Sequence, residues 1–470
     1  MTQADIGLIG LGVMGANLAL NIAEKGFRIA VFNRTGATTT SFHAGAGVLA
    51  SIIVPSQTLE EFVASIRPPR PIIIMVKAGD PVDQQIAHLK PLLAARDIII
   101  DAGNANFRDT ISRTAALAGS GLDFIGLGVS GGEEGARHGP SIMVGGPQAS
   151  YGRVSTVLNA ISAKFKGDSC CAWVGSDGAG HFVKMIHNGI EYADMQMIAE
   201  IYGVLRDGLG LGAKEIGQIF ANWNSGPLDS YLIEITARVL ATDDTKTGKP
   251  LVDVILDRAG QKGTGRWSVM EAQSMGVPAT TIEAAVAARA LSAMKDERLR
   301  AAAVYGALPA KLTVVDKAAF IKQLEAALLA GKIAAYAQGF AVLEQASKDF
   351  GWNLPLDTIA RIWRAGCIIR SQFLDRIAAA FAKSSGKGNL LLAADFVTVM
   401  QASHPALRRT VGAAAEAGSP APALSSALAY FDSYRQAQGS ANLIQGQRDF
   451  FGAHGFERVG ETGEFHGKWA

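Results

Sequence analysis

Six residues near the start of the chain, Gly10-Leu11-Gly12-Val13-Met14-Gly15, restrict its fold more than any others. They satisfy G-x-G-x-x-G directly after an apolar run, Ile6 to Leu8, and directly before a helical pattern, Ala16 to Lys25. Glycines at this spacing permit a tight strand-to-helix turn and let an anion such as a pyrophosphate approach the N–H groups of the helix N-terminus. Gly26 then reads as the C′ residue that closes the helix. The uncharged stretch Ile6 to Ala23 has the length of a membrane span, but Gly7, Gly10, Gly12, Gly15, Asn17 and Asn21 interrupt it and no basic segment precedes it. A glycine-rich turn explains it better, and no targeting segment is expected.

Downstream, to about Gly175, short β-rich runs alternate with helical patterns, which predicts a parallel sheet with crossover helices. The expected strands are Ile6–Leu8, Phe27–Phe32, Pro71–Val76, Ile98–Asp101, Leu122–Ile125, Ser141–Val144 and Ala172–Val174. The cluster Gly175-Ser176-Asp177-Gly178-Ala179-Gly180 predicts a turn with an N-cap, and a long helix starting near Ser176. From His181 to about Tyr434 apolar residues recur at three- and four-residue spacing, the pattern of packed helices. From Gln436 onward Gly, Gln and Arg mix with scattered aromatics, and no sustained helical stripe is legible. The expected architecture is an α/β Rossmann-like N-terminal domain (1–176), an all-α domain (177–435) and an extended C-terminal tail (436–470) that wraps something.

Composition narrows the partners. Basic and acidic side chains number 44 and 42, giving a net charge of +2 without any Lys/Arg tract, so no nucleic-acid or anionic-membrane footprint is present. Three cysteines cannot build a disulfide framework, Cys170 and Cys171 read as strand residues, and no metal-ligand spacing occurs. A cytoplasmic enzyme that works without a metal is the expectation.

The end of the second strand reads Asn33-Arg34-Thr35 where an NAD enzyme places an acidic residue on the ribose. Arg34 can fork onto a 2′-phosphate and Thr35 can donate a hydroxyl, so NADP is favoured. Asn104, in the segment DAGNANF, can reach the nicotinamide ribose from the carboxyl end of the sheet. In the junctional helix, HFVKMIHNGIEYADMQ, about 100° per residue puts Lys184, His187, Asn188 and Glu191 in one sector among apolar neighbours. The opening turns of a helix disfavour an ammonium, which predicts a lowered pKa for Lys184 and a base's role. Val129-Ser130-Gly131-Gly132 and Gly260-Gln261-Lys262-Gly263-Thr264-Gly265-Arg266 are two further candidate anion loops, each equally readable as a mobile surface loop.

Taken together, GLGVMG, NRT, MVKAG, DAGN, GVSGGEEGAR, KMIHNGIEY, GQKGTGRW and NLIQGQRDFFGAH run in the order and spacing of the 6-phosphogluconate dehydrogenases, and the whole chain resembles that family. The resemblance implies NADP-dependent oxidative decarboxylation of 6-phospho-D-gluconate to D-ribulose 5-phosphate, a step of the oxidative pentose phosphate pathway. It implies that Lys184 acts first as base and then as acid, and that Glu191 protonates the enediol carbon. Asn104, Ser130, Gly131, Gly132, His187 and Asn188 would hold the sugar acid. Tyr192, Lys262, Thr264 and Arg289 would meet its 6-phosphate, joined by Arg448 and His454 from the tail of a partner subunit in a homodimer. Val76, Lys77 and Ala78 would line the cofactor site. Gly12 stands where many members have Ala, and Thr38 where a further cation often supports the 2′-phosphate, so some use of NAD is expected. Another β-hydroxyacid dehydrogenase would have no use for Lys262, Arg289 and the tail together, and a non-catalytic NADP-binding protein would not need the polar stripe of the junctional helix.

Overall fold

A computed structural model describes residues 3–306, 311–384 and 388–469. Its first half is built on β1 (Ile6–Ile9), β2 (Ile29–Phe32), β3 (Ile53–Pro55), β4 (Pro71–Ile74), β5 (Ile98–Asp101), β6 (Asp123–Val129), β7 (Ile142–Gly145), the small hairpin of β8 (Lys164–Phe165) and β9 (Asp168–Ser169), and β10 (Cys171–Gly175). Eight of them form one sheet in the order β10-β7-β6-β5-β4-β1-β2-β3. Apolar side chains alternate between its faces: Ile6, Leu8, Ile29, Val31, Ile98 and Ile100 enter one core cluster, and Ile9, Ala30, Ile72, Ile74 and Ile99 the other. Helices cover both faces, so these strands are apolar at nearly every position.

The seven expected strands are all present, with two corrections. Strands β3, β8 and β9 were not expected, since two or three residues carry too little pattern to stand out. The sheet is also not wholly parallel, because β7 runs antiparallel to β6, with Val129 opposite Ile142. The connection between them holds only the short helix Gly132–His138 and returns from the carboxyl end of β6 instead of crossing the sheet.

The long junctional helix spans Ala179–Gly203 and begins later than Ser176. Its N-cap is Gly178 and no side chain caps it; the Asp177 carboxylate instead accepts the indole N–H of Trp352 at 2.8 Å. Glycine is required here by close approach. A Cβ on Gly180 would lie 2.3 Å from the carbonyl oxygen of Gly126, and one on Gly128 2.6 Å from the Lys184 Cβ. The first turns of the helix thus lie directly on β6 and β7.

Beyond this helix, the described residues form helices and no further strand of the sheet. The 33-residue helix Lys317–Asp349 packs along the junctional helix. Among the described residues it is the one helix long and apolar enough to cross a membrane, and 83% of its most apolar stretch is buried inside the protein. Lys332 at its centre donates to both oxygens of Asp194 at 2.8 and 2.7 Å.

The tail is less extended than expected, for it contains a helix, Ala441–Gly452. Asp449 organises it by accepting hydrogen bonds from the backbone N–H groups of Gly455 and Gly467, the Trp469 indole and His466. Leu443 and Phe450, like Ile444 and Phe451, stand seven residues apart and share a helix side, yet all four are exposed. So short an apolar pair of rows is hard to distinguish from scattered aromatics in a glycine-rich sequence.

Candidate active site

At the carboxyl end of β1, Gly10 adopts φ +98°, and a Cβ there would stand 2.4 Å from the Met75 carbonyl oxygen. A Cβ on Gly15 would stand 1.9 Å from the Gly10 carbonyl, so both positions need glycine for the turn itself. Gly12 differs, since a Cβ on it would meet nothing within 4 Å. It N-caps the helix Val13–Glu24 without a side-chain partner and with no acidic residue in the first turn. The helix N-terminus is therefore open to an anion.

A cavity of about 630 Å³ opens on this turn, lined by Gly12, Val13, Met14, Gly15, Val76, Lys77, Ala78 and Asn104. Met75, Gly103, Lys262 and Trp267 complete it. Lys262, read as a substrate residue, thus faces the space beside the glycine turn. Leu11 and Asn33 serve the frame: the Leu11 N–H donates to Asn33 Oδ1 at 3.0 Å, tying β2 to the turn. Arg34 and Thr35 follow Asn33 and are exposed.

The sector of the junctional helix converges on the loop after β6. Lys184 Nζ donates to Ser130 Oγ at 2.9 Å and lies 3.4 Å from His187 Nδ1. His187 Nε2 is 3.3 Å from Ser130 Oγ, and its Nδ1 is 3.0 Å from Asn188 Oδ1 and 3.8 Å from Glu191. Asn188 donates onward to Thr264 Oγ1 at 3.2 Å. Gly131, at φ +107°, sits against the Gly366 carbonyl, which a Cβ would approach to 2.6 Å, and Gly132 is exposed beside it.

Burial sets the protonation states in opposite senses. It pushes the pKa of Lys184 down, against the partial opposition of Glu191 and Cys367. It holds His187 well below the usual histidine range, with the Lys184 charge adding to the effect. Burial raises Glu191, opposed by Lys184 and Arg289. Lys184 thus shifts in the expected direction, with desolvation by burial as the cause. An amine that can be neutral beside a carboxyl that can stay protonated is a base–acid pair in one pocket.

Tyr192, Thr264 and Arg289 lie together. The Arg289 guanidinium stacks 3.4 Å from the Tyr192 ring centre and donates to the Gly260 carbonyl at 3.2 Å, and Gly265 allows the same ring to pack on the loop. Arg448 and His454 are not part of this group within one chain. Arg448 donates to Gln445 at 3.1 Å and His454 stands edge-on to Phe451, both inside the tail. Met75, Gly103 and Trp267 lie inside the motifs MVKAG, DAGN and GQKGTGRW but carry no expected site role, whereas Trp363, edge-on to His187, and Cys367, near Lys184, belong to no quoted motif and reach the site by tertiary folding alone.

A glycine-rich dinucleotide turn on a Rossmann-like sheet, with a buried lysine–histidine–asparagine face and a half-buried glutamate beside it presented by an all-helical second domain, defines the class: two-domain, dinucleotide-binding proteins whose site lies between sheet and helices. Residues 5–175 match the NAD binding domain of 6-phosphogluconate dehydrogenase, and residues 180–469 its C-terminal domain. The chain belongs to the 6-phosphogluconate dehydrogenase family. It is 49% identical to the NADP(+)-dependent, decarboxylating 6-phosphogluconate dehydrogenase of Bacillus subtilis, with 100% of both chains covered. It is 48% identical to the NAD(+)-dependent, decarboxylating enzyme of the same organism, with 99% of both covered. The solved 6-phosphogluconate dehydrogenase of Plasmodium falciparum, studied with NADP+ and with 6-phosphogluconate, superposes with a TM-score of 0.96 at 40% identity, covering 99% of this chain and 100% of that one.

Proposed function

We propose that this chain catalyses the NADP-dependent oxidative decarboxylation of 6-phospho-D-gluconate to D-ribulose 5-phosphate and CO2. The observation that carries the reading is Lys184, a lysine buried against Ser130 and His187, with its pKa pushed down, where the junctional helix meets the sheet. When bound, NADP supplies the hydride acceptor; Gly12, Val13, Met14, Val76, Lys77 and Ala78 would hold it, with Arg34 and Thr35 toward the 2′-phosphate. Lys184, neutral, takes the proton of the C3 hydroxyl as that carbon is oxidised. As ammonium it then gives a proton to the developing enolate oxygen while the carboxylate leaves as CO2, and Glu191 protonates the resulting enediol carbon as the enediol hydroxyl returns its proton to Lys184. His187 and Asn188 orient the sugar acid, with Asn104, Ser130, Gly131 and Gly132; Tyr192, Lys262, Thr264 and Arg289 take its 6-phosphate.

On this reading 1–176 binds the cofactor, 177–435 binds substrate and dimerises, and the tail from 436 brings Arg448 and His454 to the partner's site in a homodimer. The exposed rows of Leu443, Ile444, Phe450 and Phe451 support an intermolecular role for the tail. The reaction would belong to the oxidative pentose phosphate pathway of the cytoplasm. NADP is preferred through Arg34, and Thr38 in place of a cation leaves room for NAD.

The test is the initial rate with 6-phosphogluconate, with reduced cofactor and released CO2 followed together, for NADP and NAD at matched concentrations. Equal yields of CO2 and NADPH, with the faster rate on NADP, are expected. No reduction of either cofactor by the folded protein would overturn the reading.

A further inference from the structure

Two walls of the dinucleotide cavity come from different parts of the chain. One is the loop after β5, with Gly103 and Asn104; the other is the glycine loop and helix Thr264–Ser274, with Lys262 and Trp267. Four residues beyond Asn104 stands Arg108, and four residues beyond Trp267, on the same helix face, stands Glu271. The two meet across the cleft. Arg108 Nε donates to Glu271 Oε1 at 2.7 Å and Nη2 to Oε2 at 2.6 Å, a parallel two-point ion pair.

Each end is anchored on its own side. Asn106 caps the helix Phe107–Leu117 by accepting from the Arg108 N–H at 3.0 Å, and the Phe107 ring is locked edge-on against Phe182, Phe350 and Trp352. Ser268, one turn before Glu271, donates to the Met185 carbonyl at 2.8 Å. The Glu271 side chain is only 9% exposed, whereas Arg108 is 54% exposed and can swing away into water. Opening the pair would leave a nearly buried carboxylate without its cation, which favours the closed form.

We propose that Arg108 and Glu271 are positioning residues, a clasp that holds the Lys262–Trp267 wall against the Asn104 wall and sets how tightly the cavity retains its dinucleotide. This rests on the cofactor reading above. Neither residue touches the reacting atoms, so the clasp acts on retention and not on the chemical step.

The experiment compares wild type with Arg108→Met, Glu271→Gln and the double variant, measuring NADPH dissociation constants by nucleotide fluorescence, steady-state kinetics with 6-phosphogluconate, and thermal unfolding to confirm folding. Each single variant should weaken NADPH binding about 3- to 10-fold, the range for an ion pair with one exposed and one buried partner. KM for NADP should rise with it, while kcat changes less than about 2-fold. The double variant should bind no worse than the worse single one, because both remove the same interaction. Arg108→Lys, which keeps charge but not the fork, should recover binding only in part. Unchanged dissociation constants in folded single variants, or additive losses in the double one, would overturn the clasp and leave the cofactor reading standing. Absence of NADPH binding by wild type would overturn that reading and the clasp with it.

Discussion

Replacing Lys332 with Met tests the most deeply buried charge pair in the helical core. Lys332 and Asp194 are 4% and 2% exposed, both Asp194 oxygens accept from Nζ, and a Cβ on the neighbouring Gly331 would come within 2.6 Å of the Met197 sulfur. The two long helices are too close here for water to replace the lost ammonium. Methionine fills much the same volume, so the cost is that of an uncompensated buried carboxylate, about 3–5 kcal/mol. For a helical unit of this size that lowers the unfolding midpoint by roughly 6–20 °C. Thermal and urea unfolding of K332M, D194L and K332M/D194L form a closed cycle, in which the double variant should recover most of the loss because no charge is left stranded. A K332M protein within about 1 kcal/mol of wild type, or a double variant as unstable as K332M, would refute the reasoning.

Lys184→Arg should abolish turnover by at least about 10²-fold while NADPH binding persists, since a guanidinium cannot become the neutral base; stopped-flow and binding titrations together check this. The rate should rise with pH as the lowered Lys184 ammonium loses its proton and fall as the raised Glu191 carboxyl loses its own, and Glu191→Gln should remove the second limb from the kcat profile. Gly10→Ala should compromise folding through its φ of +98° and its 2.4 Å approach to Met75, whereas Gly12→Ala should leave the unfolding midpoint within about 1 °C and alter only dinucleotide affinity. In the tail, the Gly467 N–H first, then Trp469, His466 and Gly455, hold Asp449 below the usual carboxylate range. Its contribution to tail order is present above the ordinary carboxylate pKa and lost as pH falls through the lower native one. Asp449→Asn should mimic that loss at neutral pH, seen as faster proteolysis after residue 435 and a shift from dimer to monomer in sedimentation; an unchanged sedimentation profile would count against the tail as a dimer element.

What the sequence determined by itself is whatever depends on neighbours a few residues apart. The glycine turn, the run of buried strands and the sector holding Lys184, His187, Asn188 and Glu191 follow from periods of 2 and 3.6 and from the backbone freedom of glycine. Boundaries slipped where local signals competed, as when Asp177 turned toward Trp352 instead of capping the junctional helix. Only the tertiary structure decided which distant segments meet. It reversed β7 through a connection too short to cross the sheet, seated Trp363 against His187 and Cys367 near Lys184, and turned Lys262 toward the dinucleotide cavity. It also decided the charge states. A lysine on a polar helix face reads as solvated until β6 closes over it, and it is the resulting desolvation, which no local pattern encodes, that lowers Lys184 and raises Glu191 in the same pocket.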